Sequence, residues 1–317
     1  MDMTANAPID ISICICTFRR PQLLELLLQA LCEQDRDGLA LEVVVADNDP
    51  EASARPVLDA WQARLPLPLR ALHVPVPNIA AARNAAVHAA RGEWILFIDD
   101  DEAPGEGWVR KLVRAQRAFG ADAVFAPVLP RYLEGTPAWI RRGGFFNRPR
   151  FATGAPITSH DARTGNVLIR RSKMLAVSPA PEAGPFDTAF GRTGAEDTML
   201  FRDMLEHGAV FVWCDEATVS EEVPLQRANL PWLLRRSYRL GQTYVLSEIA
   251  RLSPLGRLRR GGWLGLRAAV QLVVAAGLCL ACLPFSRIKV VRWLRAASAQ
   301  CGKLSALIGH RYHEYGN

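Results

Sequence analysis

Cysteine is sparse in this 317-residue chain, and the seven present are an odd number that leaves one thiol over in any pairing. Such a count fits a reducing cytoplasm better than a disulfide framework. Cys14 and Cys16 fall on one face of a predicted strand, as core residues do. Cys279 and Cys282 form a CxxC inside an apolar run with no second pair nearby, so no zinc site is read there. Internal repeats and low-complexity tracts are lacking, and with them any repeat architecture. The opening "MDMTANAPID" has no basic stretch and no apolar run, so no secretory signal is expected. Acid is nearly missing from the last third. Residues 227–317 hold thirteen Arg and two Lys against Glu248 and Glu314, which is +13; the whole chain is +6, so residues 1–226 carry −7.

What is present is apolar and patterned. Half of the residues are hydrophobic, enough for a sizeable core and too many for a disordered chain. The length suits one large domain, or one domain with an appendage. "DISICICTFRRP" alternates Ile11, Ile13 and Ile15 and ends in a polar turn, which reads as a strand. "PQLLELLLQALCEQ" opens with Pro in a first helical turn and keeps helical periodicity. "LEVVVADNDP" is a strand buried on both faces. A helix over 51–63, a strand "LRALHVP", an Ala-rich helix "NIAAARNAAVHAARG" closed by Gly92, and a strand "EWILFID" follow.

This alternation predicts βαβ units and a mostly parallel sheet with helices on both faces. Ligands of such sheets bind beyond the carboxyl ends of the strands, where "TFRR", "ADND" and "IDDDE" all fall. Further on, "ADAVFAPVLP" reads as one strand and "RRGGFFNRPRFATGAP" as a long loop. "ARTGNVLIRR" is a strand, "GAEDTMLFRDMLEHG" a helix from its acidic pair to Gly208, and "AVFVWCDEATV" a further strand.

In the tail, Ala268 to Phe285 are 18 residues without a charge. As a helix they cover about 27 Å, just short of a bilayer core of about 30 Å. Basic residues flank the run on both sides, so the positive-inside rule gives no orientation, and a span, a re-entrant segment and an in-plane helix all fit. Beyond it, Val290, Leu294, Ala297, Cys301, Leu304 and Ile308 recur at steps of four and three, an amphipathic basic helix suited to an anionic membrane surface. A helical hairpin packed on the protein's own core is the competing reading, and the heptad-like spacing would also pair two chains. The tail's charges are interleaved with apolar residues rather than exposed stacking aromatics, which favours a membrane partner over nucleic acid.

The chemistry-bearing stretch is "RGEWILFIDDDEAPG". Four bulky residues run into Asp99, Asp100, Asp101 and Glu102, and no basic residue follows before Arg110. Either the acids form a solvated turn or helix cap, or a cation belongs there; hard divalent ions such as Mg²⁺ and Mn²⁺ take carboxylate oxygens plus substrate phosphates. Glu196 and Asp197 in "GAEDTM" sit at a predicted helix start, where the dipole favours acids. The same pair could supply a general base.

In order along the chain, "CTFRRP", "VVVADND", "NIAAARNAAVHAARGEWILFIDDDE", "TGNVLIRR", "GAEDTMLFRDMLEHG" and "LLRRSYRLGQTY" resemble the motifs of family 2 glycosyltransferases with the GT-A fold. The resemblance is greatest to bacterial members that build surface polysaccharides, such as succinoglycan-type glucosyltransferases, and covers roughly residues 10–245. It implies a nucleotide-sugar donor, most simply a UDP-sugar, a divalent metal (Mg²⁺ or Mn²⁺) and inversion at the anomeric carbon. By the same resemblance Thr17 and Arg19 line the nucleotide pocket, Asp47 contacts the base and Arg83 supports the nucleotide side. "DDD" matches the DxD motif, with Asp99 and Asp100 towards ribose and phosphate and Asp101, together with Asp99, at the metal. Asn166 lies near the donor sugar. From their charge, Arg235, Arg236 and Arg239 either help hold the pyrophosphate bidentately or belong to a membrane-facing basic helix. Asp197 is the base that activates the acceptor hydroxyl, with Glu196 helping to place donor or acceptor.

Two departures stand out. "PWLLRRSYRL" does not match the QxxRW-type motif of processive members, so transfer of single sugars is expected. "CDEATVSEEVP" lacks the His that often completes the metal shell, leaving Glu221, Glu222 or water. The expected organisation is a catalytic domain over 1–245 and a membrane-associating helical region over 246–317. It would work at the cytoplasmic face of a bacterial inner membrane on a lipid-linked or surface glycan. A nucleotidyltransferase, an aspartyl phosphatase and a non-catalytic scaffold are the alternatives. The first lacks a Gly-rich loop near "TFRRP", and the second would carry its DxD on the first strand.

Overall fold

The computed structural model describes residues 8–180, 182–191 and 194–310. The first seven residues of the stretch read above for a leader lie outside these. The chain forms two compact units. One comprises Met1–Leu129, Arg148–Arg192 and Glu196–Glu221; the other comprises Pro130–Asn147, Thr193–Ala195 and Glu222–Asn317.

The first unit opens with β1 (Ile11–Thr17), α1 (Pro21–Cys32), β2 (Leu41–Asp47), α2 (Arg55–Trp61), β3 (Leu69–His73), α3 (Ile79–Ala89) and β4 (Trp94–Phe97). It continues through β5 (Glu102–Pro104), α4 (Trp108–Phe119) and β6 (Ala123–Phe125). The chain then passes through β7 (Val128–Tyr132) and α5 (Ala138–Gly143), the latter in the second unit, before β8 (Val167–Arg170), α6 (Arg171–Ala176), α7 (Glu196–Glu206), β9 (Phe211–Trp213) and β10 (Val219–Val223).

Seven strands make one sheet in the order β3-β2-β1-β4-β8-β6-β9, and only β8 runs against its neighbours. The expected mostly parallel sheet is thus present. Ile11, Ile13 and Ile15 point to one face, with Val43, Val45 and the apolar sides of α1, α2 and α4. Cys14, Val44, Ile95 and Phe97 point to the other, against α3 and α7. Period-two alternation on β1 thus feeds two separate apolar layers.

Three sequence readings change. Gly92 does not cap α3, which ends at Ala90 in extended backbone. The glycine instead lies against β1, where a Cβ would stand 2.6 Å from the Ser12 nitrogen. "ADAVFAPVLP" is two strands, β6 and β7, in different sheets, because Pro127 cannot donate to a continuous ladder. The stretch taken as a loop from Arg141 begins inside α5, which Gly144 closes in the left-handed conformation.

The second unit is built on α8 (Leu230–Ile249), α9 (Pro254–Cys282) and α10 (Arg287–Leu307). Among the described residues α9 is long and apolar enough to cross a membrane. The basic amphipathic helix expected over α10 forms, but its cations are turned onto protein. Arg287 sits over the Trp139 ring at 4.7 Å, Arg295 over Phe145 at 5.4 Å, and Arg292 donates to the Gly143 carbonyl at 3.3 Å. The large exposed apolar side chains belong to α9 instead.

Candidate active site

The parallel strands β1, β2 and β4 end on one edge, and the strand order reverses between β1 and β4, the position at which open α/β sheets bind ligands. Thr17 ends β1 and donates from Oγ1 to Asp100 Oδ2 at 2.8 Å. Asp99, Asp100 and Asp101 follow β4. The question the acid run posed has a direct answer in Arg20, a residue that sequence reading passed over. Its Nη1 lies 3.1 Å from Asp100 Oδ1 and 2.9 Å from Asp101 Oδ2. Arg19 beside it takes a left-handed backbone (φ 56°) and sends its own Nε to Asp49 Oδ1 at 3.1 Å. Neighbouring arginines thus serve different carboxylates. Burial pushes Asp100 up to about 6, against the pull of Arg20.

Arg83 projects from α3 and is buried. Its Nη1 pairs with Glu196 Oε1 at 2.5 Å, its Nη2 is 3.9 Å from Asp99 Oδ1, and its guanidinium lies 5.7 Å from the Phe186 ring centroid. One cation therefore joins the acid pair of α7 to the acid run after β4. Burial raises Glu196 to about 7, with the positive charge of Arg83 working the other way. Its second oxygen, Oε2, is buried with no hydrogen-bond partner among the described residues.

Asp197, in the first turn of α7, is half-buried, and its Oδ1 accepts from the Thr198 amide at 2.7 Å. Two asparagines of the Ala-rich helix lock the segment before this pair. Asn78 caps α3 and donates to the Thr188 carbonyl at 2.9 Å, while Asn84 bonds Ala183 O, Phe186 O and Phe186 N. The sequence carried the Asn78 cap signal, but nothing that pointed to its distant partner.

Several expected site residues do other work. Asp47 is buried, and its two oxygens accept the amides of Asp49 (3.0 Å) and Ala54 (2.9 Å), which shapes the turn after β2. Asn166, expected near the donor sugar, points into the protein interior. It is fully buried at φ 59°, receives Trp108 Nε1 at 2.7 Å and donates to Pro127 O and Ala217 O at 2.9 and 2.8 Å. Arg235 and Arg236 belong to α8 of the second unit, and the Arg236 guanidinium lies 5.3 Å from the Trp232 ring centroid. Of the two candidate third ligands, Glu221 pairs with Arg148 at 2.9 Å and Glu222 with Arg131 at 2.6 Å.

Two carboxylate oxygens remain turned to a common spot. A Cβ on Gly165 would stand 2.9 Å from Glu102 Oε1 and 3.1 Å from Asp99 Oδ2. Glu102 is buried and its Oε1 has no partner among the described residues. Burial, then the neighbouring Asp99 charge, holds its carboxyl well above the usual range. Among the described residues no group of three or more His, Cys, Asp or Glu is arranged to hold a metal. Mg²⁺ is commonly held by one or two carboxylates plus substrate phosphates, so this hard-oxygen set fits such an ion. A cavity of about 170 Å³ adjoins Gly165, with Arg148, Phe151, His160, Arg163 and Trp213 on its walls.

The family model described as "Glycosyl transferase family 2" matches residues 12–175. Succinoglycan biosynthesis protein ExoM of Rhizobium meliloti (strain 1021) is 33% identical over 312 residues, covering 96% of this chain and 94% of that protein. The chain belongs to glycosyltransferase family 2. Being a glycosyltransferase, it is neither a nucleotidyltransferase nor a phosphatase. Its α/β fold is GT-A-like. The mannosyltransferase PcManGT from Pyrobaculum calidifontis, solved with GDP-Man and Mn²⁺, superposes with a TM-score of 0.62 at 20% identity, over 96% of this chain and 90% of that one. S. aureus TarS 1-349 in complex with UDP gives 0.53 at 15% identity, over 95% and 92%. In this family 2 glycosyltransferase, residues to which the motifs gave no role (Arg20, Asn78, Asn84 and Arg148) hold the acid runs and the segment before α7 in place. Each takes its meaning from a partner far away in sequence.

Proposed function

We propose that this family 2 glycosyltransferase transfers a single sugar from a nucleotide donor, first among them a UDP-sugar, to a lipid-linked or cell-surface glycan, with inversion at the anomeric carbon. The observation that carries the reading is Arg83, buried between Glu196 and Asp99. A buried cation shared by two acid motifs keeps the acceptor-activating end and the diphosphate end of one reaction in fixed register. The relative named for succinoglycan biosynthesis supports a role in polysaccharide assembly. Solved neighbours with UDP, UDP-GlcNAc and GDP-Man support a nucleotide-sugar donor.

In this reading Thr17, Arg19 and Arg20 line the nucleotide side. Asp99 and Asp101 hold Mg²⁺ or Mn²⁺, with Glu102 Oε1 turned to the same spot as Asp99 Oδ2. Bound there, such an ion would supply positive charge to offset that of the departing diphosphate. The ring-walled cavity beside Gly165, near the volume that accommodates a six-membered ring, suits a sugar. Asp197 takes the proton of the acceptor hydroxyl as its oxygen attacks the anomeric carbon. The bond to the diphosphate breaks on the opposite face, and the nucleoside diphosphate leaves as an anion. Glu196, held by Arg83, positions its neighbour. Residues 1–245 form the catalytic part, and 246–317 associate with the cytoplasmic face of the membrane.

The test is turnover with a bacterial lipid-linked acceptor extract, following nucleoside diphosphate release and the product's anomeric configuration by NMR. Asp197→Asn is expected to slow turnover by about 10²–10⁴-fold with donor affinity nearly unchanged. Unaltered turnover, or a product that retains the donor's configuration, contradicts the mechanism.

A further inference from the structure

The apolar and buried residues of α9 lie on opposite faces. Leu255, Leu258, Leu266, Val273 and Leu280 form a stripe exposed by 62–73%, while Gly261, Leu264, Ala268 and Ala275 are buried on the other side. The buried face is joined to α10 over nearly its whole length. At one end Cβ atoms on Gly261 and Gly265 would meet Leu307 at 3.3 and 3.2 Å. Towards the other, Cys279 Sγ lies 3.9 Å from the Val290 carbonyl. The two helices are thus an antiparallel pair side by side.

Helix α10 is in turn fixed to α8. Ser298 Oγ donates to Leu234 O at 2.7 Å, Gln242 Nε2 to Ser305 Oγ at 2.9 Å and Arg295 Nε to Ser237 Oγ at 3.2 Å. Side chains on Gly241 and Gly302 would overlap the backbones of Ala299 and Tyr238, so α8 and α10 touch main chain to main chain.

This arrangement decides between the ways α9 could meet a bilayer. Arg287, Lys289, Arg292, Arg295 and Lys303 ride on α10 alongside the apolar length of α9. A membrane-spanning α9 would carry them into hydrocarbon or break away from α10, and charge in hydrocarbon is strongly disfavoured. An α9 lying flat buries only its exposed stripe at the headgroup boundary and leaves α10 above the lipid. Charge selects the lipid. Arg251, Arg257, Arg259 and Arg267 lie on or beside α9, and Glu248, the one acid of the described residues beyond 222, is paired with Arg260. Such a cationic border attracts acidic headgroups.

Taking up the membrane association proposed above, we infer that α9 is an in-plane anchor, lying along one leaflet of an anionic membrane without crossing it. The test uses the full chain, with Cys279, Cys282 and Cys301 replaced by Ser. A fluorophore is placed in turn at Leu258→Cys, Leu266→Cys, Val273→Cys and Leu280→Cys. Each is mixed with vesicles of phosphatidylcholine with or without phosphatidylglycerol, and quenching by lipids brominated at different depths is read. Along a helix these sites extend over about 33 Å, enough to pass from one interface to the other. Equal, shallow quenching at all four supports the in-plane anchor. Deep quenching at Leu266 and Val273 with shallow quenching at the two ends overturns it in favour of a span. No quenching at any site overturns membrane binding itself, leaving the transfer reaction to its own assay. Binding at least tenfold stronger with phosphatidylglycerol at low salt is expected, and equal binding to both vesicles contradicts the anionic preference.

Discussion

Glu42 and Asn166 are two residues whose value lies in having their valences filled. Glu42 is buried beneath the sheet edge opposite the site, receiving Ser12 Oγ at 2.6 Å, the Arg91 amide at 2.7 Å and Arg91 Nε at 2.9 Å. Burial alone would raise its pKa, but these three donors and the Arg91 charge together lower it. A carboxyl lowered in the folded state adds stability above its unfolded pKa of about 4.3 and loses it as pH falls through the folded value. Glu42→Gln should therefore cost more stability at pH 7 than at pH 3, as urea midpoints would reveal; an equal loss at both pH values would exclude a role for the charge. Asn166→Ala leaves the Trp108 indole and the Ala217 carbonyl without this partner, while the Pro127 carbonyl keeps the Val219 amide at 3.1 Å. A loss of about 2–4 kcal/mol in urea unfolding is expected, from the cost of stranded buried groups. Neutral behaviour would mean water replaces the side chain.

Helices and strands were legible where periodicity met a stop signal. Strand β1 announced itself by alternating isoleucines, and α7 began at its acidic pair and ended before Gly208 as read. The errors share a cause: contacts distant in sequence decide what a local pattern does. Gly92 has the look of a helix cap, yet it is there because β1 passes too close for a side chain. The tail's basic stripe has the pattern of a lipid-facing surface, but rings of α5 and its following turn hold Arg287 and Arg295, and the Gly143 carbonyl holds Arg292. Gly241 and Gly302 belong to the same class, since small residues within helices say nothing of what approaches them. Gly302→Val is expected to force α8 and α10 apart. It should lower the stability of the helical region by about 1–3 kcal/mol, the usual cost of overpacking. Limited proteolysis of 230–310 would reveal this, and an unchanged cleavage rate would rule out the backbone contact.

At the scale of the molecule, the motif order carried the family and the edge where strands end. The couplings inside the site could not be read from sequence. Arg20 against Asp100 and Asp101, Arg83 between Glu196 and Asp99, and Glu102 beside Gly165 all join separate segments. Asp47 and Asn166 sit in motifs at the strand-end edge, yet both side chains are buried, held by partners that no local pattern announces. The central claim is that the Asp99–Asp101 edge binds a nucleotide sugar through a divalent ion. Calorimetric titration tests it most directly, offering UDP-glucose, UDP-N-acetylglucosamine, UDP-galactose, GDP-mannose and dTDP-rhamnose with Mn²⁺ and then with EDTA. The wild type is set beside Asp101→Ala and Asp197→Asn. One donor is expected to bind only with metal, with binding abolished in Asp101→Ala and kept in Asp197→Asn. Failure of every donor to bind with Mn²⁺ present, or binding indifferent to both EDTA and Asp101→Ala, would contradict it.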